Sequence, residues 1–332
     1  MVKLCETIAV SPEEMRHAYC NALIEAAKKD PRIVSLDCDL SSSCGTTGFR
    51  KAFPDRAFNL GIQEQNACAM AGGLSAAGLV PFFHTFAVFA TRRVYDQAFL
   101  SCAYAGQNVK IVGCDAGVSA AFNGGTHMAF EDIGIMRLIP HITIVEPSDP
   151  AMMRSLLPQI AETEGVFYLR MPRKKVYKVY EEGSSFTLGK AAVIRDGSDV
   201  TLIASGMEVV QALRAADMLA QEGISARVVD MFTIKPIDAD CIRTCAAETG
   251  AIVTCENESI IGGLGSAVAE VIVEAGKGCA FKQLGIPDKF APIGLHEDIM
   301  SMLGIDQNGI VESVREVMGK DFELDDDWDD EA

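Results

Sequence analysis

From about residue 33 to residue 169 the chain alternates short apolar runs with longer segments of helical period, and this alternation limits the possible folds more than any other feature. Strands are expected at 33–37, near 57–60, near 79–83 and at 109–114, 142–145 and 166–169. Helices are expected at 63–77, about 86–104, near 129–138 and from Ser148. Apolar strands separated by helices form a doubly wound, mostly parallel sheet covered on both faces. Ahead of them, Ser11-Pro-Glu-Glu14 reads as a helix start with a capping box, and Met15, Tyr19, Leu23 and Ala26 give its buried stripe.

The pattern breaks between Pro172 and Ser185 into a polar, turn-rich stretch, read as a linker over 173–187. A second, smaller alternation follows, with strands near 191–195, 200–204, 226–230, 251–255 and 280–284. Its helices fall near 207–222, 238–247, 264–275 and 308–318. The fold class is therefore α/β, two doubly wound, mostly parallel-sheet domains at 8–172 and 188–320, with any ligand at the carboxyl ends of the strands. Residues 67–90 lack Asp, Glu, Lys and Arg, but three Gly, Pro81 and His84 make two elements and a turn a better reading than a membrane span.

The formal charge is −17, yet residues 321–332 hold eight acids and no base, so about half of it sits in an acidic tail expected to be solvated. The rest is mildly acidic, which argues against nucleic acid or an anionic membrane as partner. Eleven cysteines are scattered without a C-x-x-C or a His at metal spacing. They read as small buried residues of a reducing, cytoplasmic compartment, and the N-terminus lacks a signal-peptide core.

Phe58-Asn-Leu-Gly-Ile-Gln-Glu64 sets one carboxylate between a short strand and a helix of small residues, with no Lys or Arg from residue 57 to residue 91. An acid in a first helical turn complements the dipole by well under ~1 kcal/mol, so Glu64 alone is weak evidence of a site. Phe86, Phe89 and Arg92 are three residues apart, a spacing that lets two rings and a guanidinium line one wall of a helix. Asn123-Gly-Gly-Thr-His127 puts an imidazole in a loop after a strand, where catalytic groups are commonly displayed. Arg170 ends a strand and suits an anion clamp. Gly262-Gly-Leu-Gly-Ser266 lacks the full dinucleotide fingerprint and reads as a tight turn for helix packing.

Together these segments resemble the transketolase family of thiamine diphosphate enzymes, over residues 10 to 318. Leu60-Gly-Ile-Gln-Glu-Gln65 is similar to the family's segment with the catalytic Glu, and Phe86-x-x-Phe89-x-x-Arg92 to its pyrimidine-binding aromatic helix, in the variant seen in deoxyxylulose-phosphate synthases. Gly124-Gly-Thr-His127 resembles the family's Gly-Pro-Thr-His, with Gly125 in place of Pro. Thr233-Ile-Lys-Pro-Ile-Asp238 and Glu256-Asn-Glu-Ser-Ile-Ile-Gly-Gly-Leu-Gly-Ser266 resemble its C-terminal domain. The family's Gly-Asp-Gly motif for the diphosphate and metal does not occur in the sequence. The resemblance thus implies the pyrimidine-binding and C-terminal domains of a split transketolase.

By that resemblance, Glu64 would hydrogen-bond the aminopyrimidine, and burial without a nearby cation would raise its pKa. Phe86 and Phe89 would pack on the ring, with Ile62 and Arg92 also at the cofactor. His127 would handle a substrate proton, Arg170 the substrate's phosphate or sulfonate, and Asn123 a substrate hydroxyl. Asn123 stands where the family usually has Asp, and Cys114 and Asp115 lie near the expected site without an assigned role. The resemblance further implies that thiamine diphosphate spans the junction between this chain's pyrimidine pocket and an N-terminal partner subunit, which mainly binds Mg2+ (or Ca2+), in an α2β2 heterotetramer with sugar phosphate substrates. No metal is expected on this chain. The rival readings are the beta chain of a 2-oxo acid dehydrogenase, a deoxyxylulose-phosphate synthase-like enzyme, and a regulatory or assembly subunit.

Overall fold

Short runs buried on both faces set the architecture. In the computed structural model, which describes residues 2–276 and 278–319, every residue of Ile33–Asp37, Val80–Phe86, Lys110–Cys114 and Phe167–Met171 is buried. The acidic tail expected at 321–332 lies outside the described residues. In chain order the first eight strands are β1 (Leu4–Val10), β2 (Ile33–Asp37), β3 (Ala57–Asn59), β4 (Val80–Phe86), β5 (Lys110–Cys114), β6 (Thr143–Val145), β7 (Phe167–Met171) and β8 (Tyr177–Tyr180). They are followed by β9 (Ala192–Arg195), β10 (Val200–Ala204), β11 (Ala226–Asp230), β12 (Thr233–Lys235), β13 (Ala251–Ser259) and β14 (Ala280–Ile286).

The described residues form two large sheets, ordered β12-β6-β7-β5-β4-β2-β3 and β14-β13-β10-β11-β9. Neighbours run parallel except the edge pairs β12–β6 and β11–β9. Helices cover both faces. In the first sheet Phe86 pairs with Cys114 and Cys114 with Met171, so β4, β5 and β7 end level and the loops that follow them start side by side. The two units are joined in the backbone, because β12 of the second alternation completes the first sheet. No helix among the described residues is long and apolar enough to cross a membrane. Of the eleven cysteines, all free, eight are buried.

Four expectations need correction. The first helix begins at Met15, not after Ser11: Ser11 N–H bonds Val176 O at 2.7 Å and Met15 N–H bonds Lys174 O at 3.0 Å, so residues 11–15 pair with another segment before the helix starts. Ala26 is only partly buried. The stretch read as a linker contains β8, which pairs antiparallel with β1. The expected helix over 86–104 is broken: residues Ala87–Thr91 are α-helical, Arg92–Val94 form a 3₁₀ turn, and Ala98–Tyr104 are π-helical. The break falls at Thr91, whose hydroxyl bonds Ala87 O at 2.7 Å.

Candidate active site

After β3 the chain turns through Gly61, at φ +75°, into the helix Glu64–Ala76, whose first residue is Glu64. This helix packs closely on the π-helical segment, since a Cβ at Gly72 would lie 2.4 Å from Ser101 O. That contact fixes how deep the helix N-terminus sits, and Glu64 is only 2% exposed there. Its carboxylate accepts from Arg93 Nη1 at 2.9 Å and lies 3.5 Å from the Thr85 hydroxyl. The expectation of a carboxyl without a nearby cation is thereby overturned. The sequence interval without Lys or Arg ends at Arg92, and the helix break one residue earlier brings Arg93 back over Glu64.

Phe86 and Phe89 form the adjoining wall, though Phe86 is the last residue of β4 and not a helical residue. Their rings are 6.3 Å apart, and both meet the His127 imidazole edge-on, at 5.9 and 5.4 Å. The Arg93 guanidinium stacks on Phe89 at 3.9 Å. Arg92 does not join this wall. It pairs instead with Glu131 at 2.8 Å. Ile62 is 73% exposed in the turn before Glu64, and Asn123 is exposed in the loop that carries His127.

His127 comes from the long loop after β5, which opens with Asp115 at φ +58°, a conformation costly for a residue with a Cβ and typical of functional sites. Asp115 is buried and pairs with Arg173 at 2.7 Å. Arg173 in turn lies 5.4 Å from the Phe86 ring. Burial raises the Asp115 pKa, opposed by Arg173. Burial first, then Arg93, Arg173 and Arg92, lower the pKa of His127, so its imidazole stays neutral to lower pH than a free histidine. Because one of those cations is then removed, Arg173→Ala is expected to move the His127 titration to higher pH. An NMR titration of the imidazole that moved down or stayed in place would contradict this arrangement.

Arg170 is not an anion clamp. It is fully buried, donating to Asp132 at 2.7 Å, to Glu258 at 3.0 Å, to Glu146, and to the carbonyl of Asn257 at 2.8 Å. With three carboxylates around it and no surface, it cannot receive a substrate anion. It ties β7 to β13 across the two units.

The site therefore presents a buried carboxylate, a two-ring apolar wall, a neutral imidazole and two partly exposed guanidiniums at the carboxyl ends of β4, β5 and β7. Residues 12–178 match the transketolase pyrimidine-binding domain, and residues 189–310 the transketolase C-terminal domain. The chain belongs to the transketolase family. It is 45% identical over 91% of its length to the 6-deoxy-6-sulfo-D-fructose transketolase subunit of Clostridium sp. (strain MSTE9), of which it covers 94%. It is 41% identical over 92% of its length to a putative transketolase C-terminal section of Methanocaldococcus jannaschii, of which it covers 97%. A solved structure described as a split gene transketolase, inactive beta4 tetramer, superposes with a TM-score of 0.84 at 40% identity, covering 93% of this chain and 99% of that one. The chain is thus the C-terminal half of a split transketolase, a transferase subunit.

Within this transketolase half, the pair missed by sequence reasoning is Arg93 and Arg173. A usable signal existed: both are second arginines of a local pair, Arg92-Arg93 and Arg170-Met-Pro-Arg173, and each follows the point where its element ends. The Gly-rich turn before the helix Leu264–Glu274 does not present free amides, because Glu256 accepts from Leu264 N–H and, at 2.9 Å, from Gly265 N–H. That fits the packing reading of this turn and leaves those amides no phosphate to bind.

Proposed function

We propose that this chain, paired with a subunit that carries the diphosphate- and metal-binding domain, transfers a two-carbon ketol unit from an anionic ketose to an aldose. The observation that carries the proposal is the buried Glu64 carboxylate beside the Phe86–Phe89 wall, a combination that fits a flat, apolar-faced heterocycle with one ring nitrogen to be hydrogen-bonded. Thiamine diphosphate is such a group, and the chemistry it supplies when bound is cleavage of the ketose C2–C3 bond with retention of the two-carbon fragment. Glu64 holds or shares a proton at the pyrimidine nitrogen, and the two rings exclude water from the pyrimidine face. Neutral His127 accepts a proton from the substrate hydroxyl and returns it to the product.

Arg93 and Arg173, rather than Arg170, take the substrate's phosphate or sulfonate. Both flank His127 electrostatically, and each now holds a carboxylate it can share with an incoming anion. A sulfonated ketose is a specific candidate, since one relative is named for 6-deoxy-6-sulfo-D-fructose. Removing a charged hydrogen bond to the anion is worth about 1.5–3 kcal/mol. Arg173→Ala should therefore raise KM for anionic donors about ten- to a hundredfold and leave KM for a neutral ketose nearly unchanged. Equal losses on both substrates would remove Arg173 from the anion site.

The sequence holds no Gly-Asp-Gly motif, which supports a partner supplying Mg2+ and diphosphate contacts. We place the active sites at subunit interfaces of a cytoplasmic heterotetramer. The test is to tag the chain, recover it from extract of its own organism, and assay ketol transfer with thiamine diphosphate and magnesium. A stoichiometric second chain bearing the motif, with turnover only in the complex, is the expected result. A chain that comes out alone and binds neither cofactor nor partner would end this reading.

A further inference from the structure

The loop that carries His127 is held by the other α/β unit. Its base is closed where Gly117 N–H bonds Ala129 O at 2.9 Å, and residues 118–128 project from that closure. Both sides of the base rest on β13. Asn257, buried in that strand, accepts from Val118 N–H through Oδ1 at 2.9 Å, and its Nδ2 lies 3.4 Å from Ala116 O. Two residues on, Ser259 N–H bonds Phe130 O at 2.8 Å. Gly117, between the two amides that Asn257 holds, has φ +56°, and a Cβ there would fall 2.3 Å from Asn257 Oδ1. No residue but glycine fits that approach. The Asn257 carbonyl is fixed from behind by Arg170 at 2.8 Å.

We infer that Asn257 is a positioning residue for catalysis: from the C-terminal domain it clamps residues 116–118 and so sets where the His127 imidazole stands against Phe86 and Phe89. Further support reaches the same loop from the same domain. The His296 ring lies 3.2 Å from Val118 O, and Ile293 fills the space beside Gly124. The hydrogen bonds of the Asn257 side chain go to this loop and to Met207 Sδ at 3.2 Å, within its own domain, so its reach towards the site runs through the loop. The domain that contributes no ring and no carboxylate to the site thereby acquires a catalytic task.

The inference rests on the ketol-transfer reading, and its test separates the two. Asn257→Ala and, from the loop side, Gly117→Ala are each assembled with the partner subunit, and amide hydrogen exchange is measured across the full chain. Both variants are expected to speed exchange across 116–129 while leaving the strands of the first sheet protected. Misplacing a reacting group by about 1 Å costs about a hundredfold, so kcat should fall about a hundredfold with KM for the donor and cofactor binding little changed. Because both substitutions break one contact, the double variant should be no worse than Gly117→Ala alone. A wild-type complex that turns over beside an Asn257→Ala complex of equal kcat overturns the positioning role only. Loss of turnover accompanied by faster exchange throughout the C-terminal domain also overturns it, as a merely structural effect. A wild-type complex without turnover sinks the ketol-transfer reading itself.

Discussion

Glu64→Ala in the assembled enzyme is expected to lower kcat about 10³-fold, within the range that a positioned proton-transfer group contributes, while the chain still folds and still joins its partner. Two features of the structure separate this from a stability effect. Glu64 is the first residue of its helix and among the described residues has a single ion pair, to a partly exposed Arg93, so its loss leaves one guanidinium that water can reach. The helix itself is fixed by the Gly72 approach to Ser101 and by Ala67, Cys68 and Ala71 in the core, none of which the substitution touches. Glu64→Gln, which keeps shape and one acceptor but cannot carry the proton as a carboxyl does, should be nearly as inactive. A variant with a few per cent of wild-type turnover or more would show that Glu64 only complements the helix dipole, and the regulatory-subunit reading would return.

Much of this site could be read before any coordinates, and the division between what could and could not follows from range. β2, β10 and β11 lie at 33–37, 200–204 and 226–230 as the apolar runs predict, because a strand buried on both faces carries its own signal. β1, β8 and β12 are edge strands without that signal. Leu4–Val10 is buried nowhere along its length, and its partner β8 lies some 170 residues away in sequence. Glu64, Phe86, Phe89 and His127 converge because each sits at a strand's carboxyl end or in the loop or first helical turn that follows it, a rule independent of detailed geometry. The arginines follow no such rule. Whether Arg92 or Arg93 faces the carboxylate depends on a helix break of one residue. Whether Arg170 or Arg173 faces solvent depends on β7 ending at Met171, so that 170 stays inside the sheet and 173 escapes it.

That inside position makes Arg170→Leu a strongly destabilising change. The substitution removes the cation from among Asp132, Glu146 and Glu258, all buried, and uncompensated buried charge costs about 3–5 kcal/mol. Arg170→Lys should recover little, because one ammonium cannot reproduce a planar fork that bonds three carboxylates and the Asn257 carbonyl together. The pH dependence identifies the cause. Burial pushes the Asp132 pKa up, but the Arg170 charge first, with hydrogen bonds from Glu258, Arg170 and Tyr168, outweighs burial and holds the folded value below the ordinary one. Asp132 therefore adds stability above that range and loses it as pH falls through the lowered pKa. Without Arg170 the largest lowering cause is gone, the folded pKa rises, and the stabilisation Asp132 contributes above its ordinary pKa shrinks. The wild type should exceed the variant most at neutral and mildly alkaline pH, and the gap in urea midpoint should narrow towards acid. A gap that is constant with pH would mean that Arg170 acts by packing volume and not by charge. If the variant folded with unchanged stability but lost affinity for anionic substrates, the anion clamp would have been Arg170 after all.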